Sequence, residues 1–87
     1  MTILSVSKEK NNAVIQLNSD ELVALCNILY RETRINPKQA IIYELYGSLM
    51  IARDLSQYGH IDAFCYEKIG ACREKVRELN EKNEEVT

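Results

Sequence analysis

Several things are scarce in this chain. It has no tryptophan, one proline, one histidine and one phenylalanine among 87 residues. A single histidine, His60, leaves little material for a His-based catalytic set or a His-rich metal site. There is no run of about 18 apolar residues, so no membrane span is expected. The start, MTILSVSKEKNN, lacks a basic region followed by an apolar block. No secretory signal is read there, and a cytoplasmic location is the expectation. Neither sign of charge dominates, because 11 Lys and Arg stand against 13 Asp and Glu. That near-balance argues against a dedicated nucleic-acid binder, which carries a concentrated basic face.

Glycine is sparse too. Gly47, Gly59 and Gly70 stand far apart, so no glycine-rich phosphate loop and no G-x-S-x-G elbow exists. Cysteine is present but unpaired in pattern. Cys26, Cys65 and Cys72 form no Cys-x-x-Cys and are odd in number, unlike a secreted disulfide framework. They read as small buried apolar residues of a reduced protein. A zinc site would need His60 to join all three, at a spacing that matches no familiar ligand pattern. No converging catalytic set is visible, so the expectation is a non-enzyme without metal or cofactor.

What is present is enough apolar sequence for one small domain. A core this small is marginal unless a partner subunit, metal or disulfide adds to it. Residues 3–17 read as a β-hairpin centred on Asn11-Asn12, since asparagine tolerates the positive φ that tight turns need. Lys10 then faces Ala13, Lys8 faces Ile15 and Val6 faces Leu17. Leu4, Val6, Ile15 and Leu17 share an apolar face, and Ser5, Ser7, Val14, Gln16 and Asn18 fall on the other. An isolated hairpin is marginal in water, so this one is expected to pack on helices.

Three helices follow, over about 19–34, 37–58 and 61–80, with a frayed acidic tail at 81–87. Asn18 or Ser19 caps the first, and Leu22, Leu25, Cys26, Leu29 and Tyr30 recur at helical spacing. Pro37 suits the first position of the second helix, and Gly59 suits its left-handed cap. Ile41, Ile42, Leu45, Leu49, Ala52 and Leu55 are its expected buried stripe. Gly47 inside that helix implies a close helix crossing. In the third segment Ile69, Cys72, Val76 and Leu79 follow heptad spacing. No phase break occurs at Gly70, so one continuous helix is expected there, with a neighbouring backbone close to Gly70. The fold class is α+β and mostly helical: a β-hairpin packed on a three-helix bundle, in the order β-β-α-α-α.

The most economical function is a protein-interaction domain, joined as a homodimer through the third helix or the second. Five tyrosines exceed what a small core readily buries, and tyrosine suits interfaces. Tyr43, Tyr46, Tyr58 and Tyr66 are therefore the candidate contact residues. With them go the acidic Glu78, Glu81, Glu84 and Glu85, which would meet a basic surface on a larger protein. In size and charge alone the chain is similar to immunity proteins and to phage-encoded inhibitors of host defence, including anti-CRISPR proteins. No motif carries that likeness. The competing reading is a helix-turn-helix regulator. It would use helix one, the loop RINPK and helix two, with Arg31, Arg34, Lys38 and Arg53 on phosphate.

Overall fold

The computed structural model describes residues 1–86, and their side chains as far as residue 82. Two strands precede three helices: β1 (Thr2–Ser7), β2 (Asn12–Gln16), α1 (Ser19–Ile35), α2 (Ala40–Tyr58) and α3 (Ala63–Val86). The class and element order are those the sequence implies.

The hairpin register differs from expectation. Ser7 pairs with Asn12, Val6 with Ala13, Ser5 with Val14 and Ile3 with Ile15, with a bulge between Ile3 and Ser5. A two-residue loop of the favoured kind needs positive φ at both central residues. Only Asn11 has it, at φ 54. Lys8 to Asn11 instead form the loop, in which Asn11 N–H donates to the Lys8 carbonyl at 3.3 Å and Lys10 N–H to Ser7 Oγ at 3.2 Å. Next to the turn the slip is an even number of residues, so Val6 and Ile15 still share a face, while the bulge sets Ile3 rather than Leu4 opposite Ile15. Lys8 and Lys10 move from the strands to the tip.

A second correction concerns packing. Neither strand brings a Cα within 8 Å of a helix Cα. The hairpin is an arm held at its base, not a layer on the helices. Leu17 and Asn18 join it to α1 along the chain. Asn18 caps α1 by accepting the Glu21 N–H at 2.9 Å, and Glu21 accepts the Asn18 N–H at 3.0 Å in return, a reciprocal box. Glu21 also binds the Met1 amino group. Its carboxyl sits below the usual range, first because of the Asn18 N–H and then because of that ammonium. These bonds set the angle at which the arm leaves the helix.

Helix boundaries shift for local reasons. Pro37 lies in a turn, Gln39 occupies the N-cap position, and α2 starts at Ala40. Gly59 is the left-handed cap expected, with φ 74. α3 begins after Asp62, whose carboxylate accepts the Phe64 N–H at 3.2 Å. Aspartate is a strong N-cap, and its place just before the apolar spacing marks this start better than His60 or Ile61 does. The helix runs on to Val86, beyond the expected end at residue 80.

α2 is central and packs on both α1 and α3, while α1 and α3 keep their backbones apart. Its buried face is not the expected one. Tyr46, Gly47, Met50 and Asp54 point inward, whereas Ile41, Leu45, Ala52 and Leu55 face outward. α2 is apolar over so wide an arc that periodicity alone does not choose a face. Gly47 decides it. A Cβ there would lie 3.4 Å from the Cys72 Cβ, so α3 crosses where α2 has no side chain. Cys26, Tyr46, Met50, Cys65, Ile69 and Cys72 form the core. The heptad stripe of α3 is thus spent inside the chain, with Ile69, Cys72 and Leu79 buried and Val76 half-buried. Gly70 lies in one continuous helix, as the apolar register implies. Within the chain the Gly47 region does not meet it, since nothing among the described residues lies within 4 Å of an added Cβ; the alternative neighbour at Gly70 is a second subunit.

Candidate functional site

Two features stand out. The first is a polar cleft where α2 turns into α3, about 330 Å³ in volume and lined by Arg53, Asp54, Tyr58, His60, Asp62 and Cys65. Asp54 is 1% exposed, the sole buried charge in the described core. It accepts from Arg53 Nε and from the Asp62 N–H, both at 3.2 Å. Burial raises its carboxyl, but hydrogen bonds from the Cys65 thiol, the Asp62 N–H and Arg53 outweigh that and hold it below the ordinary aspartate range. Arg53 also donates from Nη2 to Cys65 Sγ at 3.1 Å.

The hydrogen bonds of this cleft clamp the end of α2 to the start of α3. Burial pushes the Cys65 thiol up, and the Asp54 carboxylate pushes it further. A catalytic thiol needs the reverse. Burial likewise raises Cys26 and Cys72, and all three cysteines are free and buried. His60 stacks loosely on Tyr58, with ring centroids 6.2 Å apart. Asp54 joins the end of α2 to the first turn of α3, which fixes the α2–α3 angle.

The second feature is uncovered apolar surface. On the arm, Ile3, Leu4, Val6, Val14 and Ile15 are between 49% and 72% exposed. On α2, Ile41, Leu45 and Leu55 are 54%, 44% and 48% exposed. Phe64 and Tyr66 add to it at the start of α3. Apolar side chains gathered in this way on the arm and on α2 are the kind of surface that interaction sites use.

The expected contact residues are scattered. Tyr46 is in the core, 6.0 Å from the Tyr30 ring. Tyr43 is half-buried, and its hydroxyl donates to the carbonyls of Thr33 or Pro37 at 3.2 and 3.1 Å. It braces the α1–α2 loop. Tyr46 has little surface to offer a partner, whereas Tyr43 keeps part of its ring exposed. Tyr58 and Tyr66 are exposed, as the sequence suggests. Glu78 and Glu81 are exposed on α3, while Glu84 and Glu85 lie outside the described side chains.

The basic set does not assemble either. Arg31 and Lys38 are exposed. Arg34 stacks on Tyr30, 4.8 Å from the ring centre, and binds its hydroxyl. Arg53 is committed to Asp54 and Cys65. α2 is packed by α1 on one flank and by α3 on the other.

No family model matches the chain, and no curated protein and no solved structure matches it. Among the described residues no helix is long and apolar enough to cross a membrane. The features that sequence reasoning missed are Asp54 and the outer face of α2. A lone aspartate after arginine in an apolar helix was a visible sign of the first. For the second, Gly47 was the visible sign, because it marks the face that must be buried.

Proposed function

We propose that the protein is a small non-catalytic interaction domain, homodimeric, that acts as an inhibitor or adaptor of a larger protein. One observation carries this reading: eight large apolar side chains on the arm and on α2 are only partly covered within the chain. A two-stranded hairpin is marginal in water unless something packs on it. Uncovered surface of this kind is the mark of an interaction site. The raised thiols and the single, exposed His60 fit a protein that binds rather than reacts. The exposed Glu78 and Glu81 suit a partner with a basic surface.

Light scattering after size exclusion, at micromolar protein, tests the homodimer. The expected mass is twice that of the chain. A single-chain mass at high micromolar concentration contradicts it. The larger partner is tested by pull-down from host lysate with the wild-type chain and with Val6→Glu. Capture that Val6→Glu abolishes supports the reading, and recovery of the protein alone counts against it.

A further inference from the structure

Resting on that reading, we propose how two copies join. Each chain lays its hairpin arm on the outer face of the partner's α2, in reciprocal exchange about a two-fold axis. The arm's apolar face, Val6 with Ile3 and Ile15, meets Ile41, Leu45 and Leu55 of the second copy.

Three observations favour a second copy over any other occupant. The first is fit in length. Strands of five and six residues reach about 17–20 Å. Ile41 to Leu55, at about 1.5 Å per residue, spans roughly 21 Å. The small Ser48 and Ala52 lie between the large residues and leave room for a strand pair to sit down.

The second is area. One such side chain presents roughly 60–120 Å² when wholly exposed. The six named side chains, about half exposed, supply on the order of 180–360 Å² of apolar surface per chain. Interfaces are about three-fifths apolar, so this corresponds to roughly 300–600 Å² per partner, whose upper end meets the lower limit of a specific interface. Either patch alone falls short. A two-fold operator uses both on each chain and leaves neither bare.

The third is charge. Lys8 and Lys10 flank Glu9 at the arm's tip, which leaves the tip with one net positive charge. Glu44 lies beside Ile41 and Leu45 and makes no ion pair among the described residues. An arm lying tip-first toward Ile41 brings the lysines to that carboxylate. The same arm does not fold back on its own helices, because the Asn18–Glu21 box fixes its exit from α1.

A mixing experiment tests the exchange. Val6→Glu spoils the arm and Leu45→Glu spoils the receiving face. Both positions are exposed in the single chain, so helical circular dichroism should be unchanged for each. Light scattering should give a dimer for the wild type and a monomer for either variant alone. A one-to-one mixture restores one of the two contacts, the intact arm of Leu45→Glu on the intact face of Val6→Glu, so it should form a weaker dimer, read as a mass above that of the single chain at high micromolar concentration. Variants that stay dimeric, or a mixture that stays monomeric while the wild type is dimeric, would overturn the arm exchange and leave the interaction domain standing. A monomeric wild type would overturn the exchange and the homodimer together.

Discussion

Asp54 is the residue on which the most interactions converge. It is buried and bonded to the Asp62 N–H and Arg53, the latter through a guanidinium that also reaches Cys65. Asp54→Ala leaves a half-buried guanidinium and an unpaired N–H. We expect a loss of about 2–4 kcal/mol in urea unfolding, with Asp54→Asn costing less. Its carboxyl also sets the acid limit. Because its folded pKa lies below the unfolded value of about 4, its contribution is complete above that pH and is lost as pH falls through the folded pKa. The three buried thiols and the Tyr46 hydroxyl are raised, each first by burial. Their contribution is complete below the unfolded thiol value of about 8.5 and is lost as pH rises further. Melting temperature against pH should therefore show a plateau from about 5 to 8 with falls on both sides. The burial of Cys26, Cys65 and Cys72 was legible in the sequence, because their spacing fits no disulfide or metal pattern. The role of Asp54 was not legible, since only the folded turn at Gly59 brings the Asp62 N–H and Cys65 to it.

At the scale of elements, glycine separates two kinds of position. Gly47 meets Cys72 at the α2–α3 crossing, whereas Gly70 faces open space. Gly70→Ala should stabilise by about 1 kcal/mol through helix propensity alone. Gly47→Leu should destabilise by about 1–3 kcal/mol by forcing the helices apart. Denaturant midpoints of the two variants should move in opposite directions. Asn18→Ala removes the cap of α1 and should cost about 1 kcal/mol. It should also loosen the arm's exit, which hydrogen exchange of the β1 and β2 amides would report. The helices were legible because caps and breakers sit at their ends: Asn18, Pro37, Gly59. The hairpin's existence was legible from its alternation, but its register was not. Asn11 and Asn12 are equally good turn residues by type, and the Ser7 Oγ bond that favours the longer loop appears only in three dimensions. The buried face of α2 failed for a related reason, as a helix apolar nearly all round carries no phase.

At the scale of the molecule, the chain is flat, about 39 × 39 × 22 Å, with an arm at one end and an apolar helix face left bare. That shape follows from spending the α3 stripe and the Gly47 crossing inside the chain. The seam expected of α3 is therefore not free for a second copy, and association falls to the arm and to α2. On the arm exchange proposed above, another copy of the chain covers these two surfaces in solution. Light-scattering mass across a dilution series reads this out. We expect twice the chain mass at micromolar concentration, falling to the single-chain mass when Val6→Glu is introduced. A single-chain mass for the wild type throughout the series would contradict it.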